Sequence, residues 1–234
     1  MNCTVVRQLL PFAADPVDPA EVYADPPTGR GRPAVRLNMI ASLDGAATVD
    51  GVSGGLGGPA DHQVFTALRS VADVVLVAAG TVRAEGYGPS KVPLAIVSRS
   101  LALDFGSPLF TEGARATVIT VATAPADRVA AAGEVADVLI AGRRDVDLRV
   151  ALQLLGEAGH RSVLAEGGPN LNAQLAEADL IDELCLTVSP VFLGGDSRRI
   201  LAGPSAGRLR FTVHTVCEDD GYLFLRLRRS SMST

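Results

Sequence analysis

Val74-Val75-Leu76-Val77-Ala78-Ala79-Gly80-Thr81-Val82 opens with six apolar residues that do not alternate with polar ones, then passes through Gly-Thr. A short Val/Leu run without alternation fits a strand covered on both faces, and such strands belong to parallel sheets flanked by helices. Residues 73–79 are therefore expected as a buried strand. Gly80 and Thr81 then form a turn at its carboxyl end, where free N–H groups and a hydroxyl face the edge at which open α/β sheets bind ligands. A plain strand-to-helix turn with Thr81 as N-cap would read the same way.

Working outward, similar short apolar runs occupy 35–42, 92–98, 116–122, 138–141 and 162–165. Helical patterns lie between them at 59–71, 127–132, 148–158 and 169–178. The first of these begins with Pro59 and sets Val64, Ala67, Leu68 and Val71 on one face. Strand–helix alternation implies right-handed crossovers and parallel pairing. The last part differs: 183–189, 209–217 and 222–228 are strand-like with no helix between them, and Asp219-Asp220-Gly221 is a hairpin turn. The expected fold is one α/β domain over 35–234, with a central mixed, mostly parallel sheet flanked by helices and an antiparallel C-terminal hairpin. Residues 1–34 hold Pro11, Pro16, Pro19, Pro26, Pro27 and Pro33. They are expected as an extended lead-in over the surface, anchored by Val5, Val6, Leu9 and Leu10.

A second strand ends in Glu166-Gly167-Gly168-Pro169-Asn170-Leu171. Two glycines let backbone approach a phosphate without Cβ obstruction, and the helix start at Pro169 adds free N–H donors and partial positive charge. The spacing is not G-x-G-x-x-G, and a tight turn needing only unusual φ gives the same residues. Glu166, at the strand's end, is a candidate acid or acceptor for substrate. Ser42-Leu43-Asp44-Gly45 places another carboxylate after the first strand, though Asp-Gly is also a common turn. Ser98-Arg99 pairs a hydroxyl with a guanidinium suited to a 2′-phosphate, which would select NADPH over NADH. Gly54-Gly55-Leu56-Gly57-Gly58-Pro59 reads as a mobile cover or an anion site at a helix start.

The chain of 234 residues carries a formal charge of −5, with 47% hydrophobic and 20% charged residues. That is ordinary globular composition, and the absence of a Lys/Arg-rich run argues against a nucleic-acid or anionic-membrane surface. Cys3, Cys185 and Cys217 are too few and too scattered for a disulfide framework, which points to a reducing, cytoplasmic compartment. No secretory signal or membrane-length apolar run is visible. His62, His160 and His214 are isolated, with no Cys-x-x-Cys, G-x-S-x-G or Walker loop, so no metal site is expected.

Taken in order, Asn38-Met39-Ile40-Ala41-Ser42-Leu43-Asp44-Gly45, Leu68-Arg69, Ala72-Asp73 through Gly80-Thr81-Val82, and Glu166-Gly167-Gly168 resemble the reductase domain of riboflavin biosynthesis. Leu180-Ile181-Asp182-Glu183-Leu184 and Pro190-Val191-Phe192-Leu193-Gly194-Gly195 look like the segments that follow in that family. The resemblance runs from about Val35 to Arg228 and implies a dihydrofolate-reductase-like fold. It also implies NADPH as cofactor, a homodimer, and hydride transfer to the opened ribosylamino carbon of 5-amino-6-(5-phosphoribosylamino)uracil or a close pyrimidine relative.

By the same resemblance, Gly80, Thr81, Val82, Glu85, Gly167, Gly168, Asn170 and Leu171 would form the cofactor side, joined by Ser98 and Arg99. Asn38, Ser42, Asp44 and Glu166 would face the substrate, with Asp44, Glu166 or water as proton source. Many such reductases have Lys at the place of Asn38, and Asp-Asp-Pro followed by Leu and Arg where this chain reads Ala84-Glu85-Gly86-Tyr87-Gly88-Pro89. These departures leave the substrate side open. A pterin such as dihydrofolate is an alternative substrate, and a nucleotide-binding protein without turnover is an alternative of another class. With only 34 residues before Val35, a preceding deaminase domain is not expected.

Overall fold

The computed structural model describes residues 5–203 and 207–230; Cys3 lies outside the described residues. The elements are β1 (Arg7–Leu10), α1 (Pro19–Val22), β2 (Ala34–Ser42), α2 (Pro59–Ser70), β3 (Val74–Ala78), α3 (Ala79–Glu85), β4 (Leu94–Val97) and α4 (Pro108–Thr111). They continue with β5 (Ala116–Thr120), α5 (Ala126–Val135), β6 (Ala136–Ile140), α6 (Leu148–Glu157), β7 (Ser162–Ala165), α7 (Pro169–Glu177), β8 (Glu183–Ser189), β9 (Phe211–Asp219) and β10 (Tyr222–Arg229). Among the described residues the strands form one sheet in the order β1-β9-β10-β8-β2-β7-β3-β4-β5-β6. From β8 to β6 every neighbour is parallel. The β10–β8, β10–β9 and β1–β9 pairs are antiparallel. This is the expected α/β architecture, with its parallel centre and antiparallel flank.

β3 shows why its sequence does not alternate. Val74 and Leu76 enter one core with Leu152 and Leu155 of α6 and Leu175 of α7. Val75 and Val77 enter another with Val64 and Leu68 of α2. All four are at most 1% exposed, and each such side chain contributes about 1.5–3 kcal/mol through burial. At the other end of the sheet, Asp220 and Gly221 have φ of 48° and 82°. Positive φ at both central residues is the hairpin turn that matches strand twist, and Asp219 duly pairs with Tyr222.

Two elements differ from expectation. Gly80 and Thr81 lie inside the first turn of α3, whose N-cap is Ala78 with no side-chain cap bond, so Thr81 is not a cap. The proline-rich lead-in is also no mere surface strap. β1 extends the sheet beside β9, α1 makes one turn, and Val6 and Tyr23 are each 2% exposed. The fastening is ionic as well as apolar. Buried Arg226 donates to the Val22 carbonyl and to Asp25, while Arg36 donates to the carbonyls of Tyr23 and Asp25 and pairs with Glu183 at 2.6 Å. Burial pushes the Asp25 carboxyl up, but hydrogen bonds from Arg226 and Arg228 outweigh it and bring the pKa down to about 2. Proline content signals extension locally and carries no information about partners this distant in sequence.

The consequence for function is placement. The carboxyl ends of β2, β7 and β3 are adjacent, and α2, α3 and α7 begin or pass beside them.

Candidate functional site

A cleft of about 1010 Å³ opens at those carboxyl ends. One wall is backbone. The amide of Ala78 donates to the Gly167 carbonyl at 2.8 Å, which joins the end of β3 to the loop after β7. Gly167 has φ of +97°, a conformation that favours glycine, and its peptide bond to Gly168 is cis. A Cβ on Gly168 would sit 2.5 Å from the Thr81 hydroxyl oxygen, so any larger residue there would have to displace the Thr81 side chain. Gly168 caps α7 without any side-chain bond. The first-turn amides of that helix, at Asn170 and Leu171, are thus left for a ligand. Gly80, Thr81, Gly167, Gly168, Asn170 and Leu171 all line the cleft.

The facing wall is made of side chains. Asp61, Phe65 and Arg69 follow at intervals of four along α2, and all three line the space. Arg69 grips Glu166 with two bonds of 2.7 Å, and the Tyr87 hydroxyl donates a third at 2.7 Å. The guanidinium also lies 4.4 Å from the centre of the Phe65 ring. Tyr87 is held well above its ordinary pKa by burial and by the Glu166 charge, which keeps its hydroxyl a donor. Asp61 has the opposite surroundings: its hydrogen-bond partner is the Thr187 hydroxyl, and burial raises its pKa. Asn38, on β2, lines the cleft.

Several residues expected at the site are placed elsewhere or employed differently. Ser42 is buried and, like Asp44, does not line the cleft. The Ser42 hydroxyl donates to Asp44 and accepts from the Ala46 amide, while Asp44 accepts from the Gly194 amide at 2.6 Å. The Ser42 bond, followed by the Gly194 amide, draws the Asp44 carboxyl below its ordinary pKa. Asp44 thereby ties down the segment after β8, and Ala47 and Ser197 continue the fastening by bonding Arg198 and Thr48. In the structure these short polar side chains hold the turn. Glu166 does reach the cleft, but three donors occupy it. Val82 is 7% exposed and packs in the core.

Glu85 lines the cleft and accepts from the Ser53 amide, which anchors the glycine loop expected to be a mobile cover. Ser98 and Arg99 follow β4, two strands from β7, and do not line the cleft. The Ser98 hydroxyl accepts from Leu101, and Arg99 pairs with Asp145 on the open surface. Asp61, Phe65 and Arg69 are cleft residues that the sequence reading does not assign to the site, whereas Tyr87 belongs to the 84–89 segment expected on the substrate side. The one signal for the α2 stripe was its four-residue spacing, which by itself marks only a helix face.

The model of the RibD C-terminal domain matches residues 33–223. The chain is 31% identical over 183 residues to the 2,5-diamino-6-ribosylamino-4(3H)-pyrimidinone 5′-phosphate reductase of Methanothermobacter thermautotrophicus, covering 74% of this chain and 85% of that protein. Among solved structures, a pyrimidine reductase-like protein from Corynebacterium diphtheriae superposes with a TM-score of 0.80 at 26% identity, over 92% of this chain and 100% of that one. A Thermotoga maritima protein described as a deaminase and 5-amino-6-(5-phosphoribosylamino)uracil reductase shares the fold, with a TM-score of 0.69 at 22% identity over 85% of this chain and 57% of that one.

Proposed function

The chain belongs to the RibD C-terminal domain family, and from that premise we propose that it is an NADPH-dependent reductase of a phosphorylated ribosylaminopyrimidine in riboflavin biosynthesis. The observation that carries this reading is the contact between Thr81 and Gly168. It brings the Thr81 hydroxyl against Gly168, so this wall of the cleft is main chain joined by one hydroxyl, donors that suit a pyrophosphate. The approach a Cβ would block, and the uncapped amides of α7, fit a dinucleotide there.

When bound, the nicotinamide supplies a hydride to the opened ribosylamino carbon. The chain's own part is to hold and orient, which accounts for much of the rate in such reactions. Thr81, Gly167 and Gly168 fix the cofactor side. The Arg69–Glu166–Tyr87 group keeps the opposite wall at a fixed distance. Asp44 and Glu166 are both committed to positioning bonds, so the proton for the substrate nitrogen is assigned to water entering the open cleft.

A pterin reading keeps the same cofactor wall, and the cleft carboxyl of Asp61 favours it enough to be tested alongside. Steady-state assays with 2,5-diamino-6-ribosylamino-4(3H)-pyrimidinone 5′-phosphate and with dihydrofolate separate the two. Turnover of the first supports the reading; turnover of dihydrofolate alone overturns it, and NADPH binding with no turnover of either indicates a non-catalytic protein. Among the described residues no helix is long and apolar enough to cross a membrane. A cytoplasmic location and a homodimer complete the reading, and sedimentation of the purified protein tests the dimer.

A further inference from the structure

Resting on the reductase reading, we propose that Asp61 reads the C2 edge of the substrate's pyrimidine ring and commits the chain to a 2-amino-pyrimidinone over a uracil. The names of the relatives set out the choice: the Methanothermobacter substrate carries an amino group at C2, whereas the Thermotoga substrate, a uracil, carries a carbonyl. The amino ring presents two adjacent donors, the C2 amino group and N3–H. The uracil presents an acceptor beside a donor. An ionised carboxylate has only acceptors, so it pairs with both donors of the first ring and opposes the C2 oxygen of the second.

Among the described residues five carboxylates line the cleft, and four are accounted for. Glu166 holds Arg69 and Tyr87, and Glu85 holds the Ser53 amide. Asp50 and Asp196 are exposed on loops. Asp61 is half-buried at the start of α2, with the Thr187 hydroxyl as its hydrogen-bond partner and His62, its chain neighbour, as the charged group that acts on it. Its Oδ2 lies 2.8 Å from where a Cβ on Gly57 would sit, so the glycine leaves room for the carboxylate. A desolvated carboxylate without an ion pair costs stability unless further donors reach it, and a ring with two donors supplies them. Burial's upward push on this carboxyl agrees with that account. Phe65 and Arg69 continue the stripe from Asp61 towards Glu166, so the ring-reading end and the ion-paired end lie along one helix face.

The test compares kcat/KM for 2,5-diamino-6-ribosylamino-4(3H)-pyrimidinone 5′-phosphate and for 5-amino-6-(5-phosphoribosylamino)uracil in the full chain and in Asp61→Asn. Asparagine offers one acceptor and one donor in the same shape. The wild type should favour the diamino substrate by on the order of 100-fold, and Asp61→Asn should remove most of that ratio while NADPH affinity stays unchanged. Thr187→Val, which frees the carboxylate from its hydroxyl, should shrink the ratio by about threefold and reports even if the first variant folds poorly. Calorimetric binding of the two ring systems supplies a readout independent of turnover. Tighter binding of the 2-amino ring that is lost in Asp61→Asn supports the assignment, even if neither compound is reduced, a result that would sink the reductase reading instead. A wild type that prefers uracil, or a ratio unmoved by Asp61→Asn, overturns the role of Asp61.

Discussion

The wall carrying Gly167-Gly168 and the wall carrying Asp61, Phe65 and Arg69 face the same space and shape it by different means. The first is formed by main chain and is set by what is missing, since any side chain at Gly168 would meet the Thr81 hydroxyl. The second is set by side-chain charge, with Arg69 neutralised by Glu166 at one end and, at the other, Asp61, which forms no ion pair among the described residues and feels only the charge of neighbouring His62. Backbone donors suit any phosphate of the right shape, so the first wall fits a cofactor shared by many enzymes. Side-chain donors and acceptors distinguish one ring from another, so on the proposed reading the second wall chooses the substrate.

If the walls divide the work in this way, damage to each should be distinguishable. The largest effect is expected from Arg69→Ala, which strands a Glu166 side chain only 3% exposed. Losing the partner of a buried charge should cost about 3 kcal/mol of stability, read by urea denaturation. A change below about 1 kcal/mol would show that this ion pair does not hold the wall. Next is Gly168→Val, expected to weaken NADPH binding by on the order of 100-fold in a folded protein, through the collision with Thr81. Unaltered affinity by fluorescence titration would remove this loop from the cofactor site.

A smaller effect separates Asp61 from the ion pair. Its folded-state pKa lies above the ordinary 3.8 because of burial, so the folded state binds this proton more tightly than the unfolded chain. The stability linked to the group is therefore present below 3.8 and is lost as pH rises through the raised folded value. Asp61→Asn should melt higher than the wild type at neutral pH, with the gap closing as pH falls towards 3.8. A gap that is constant with pH would contradict the desolvated carboxyl. The smallest effect is expected from Arg99→Ala. Its pair with Asp145 is exposed at 69% and 81% of the side chains, and stability should move by less than about 0.5 kcal/mol. If Arg99 swings to a 2′-phosphate when NADPH binds, the preference for NADPH over NADH should narrow by about threefold, the worth of one exposed charge pair. An unchanged ratio excludes it from that role.

Much of this architecture is legible in the sequence because buried parallel strands announce themselves residue by residue, as 74–78 does. The placement of Gly80-Thr81 and Gly167-Gly168 at one cleft is legible for a related reason: both are contiguous motifs at strand ends, fixed by local backbone geometry. The substrate wall is not. Asp61 becomes distinctive only because Thr187, far along the chain, is its partner and no ion pair reaches it among the described residues. Glu166 is disqualified as a free acid only by Arg69 and Tyr87, 97 and 79 positions away. For Asp44 the ambiguity is the converse, since an Asp-Gly turn and a substrate-facing carboxylate share one local sequence. Its bond to Gly194, 150 positions on, is what the sequence does not reveal.

The most direct test of the whole account is the mass of the product formed from 2,5-diamino-6-ribosylamino-4(3H)-pyrimidinone 5′-phosphate with NADPH deuterated at both hydride positions of the nicotinamide. The account predicts a ribitylamino product carrying one deuterium on the former ribosyl carbon. An unlabelled product, or bound NADPH left unoxidised in the presence of this substrate, would contradict it.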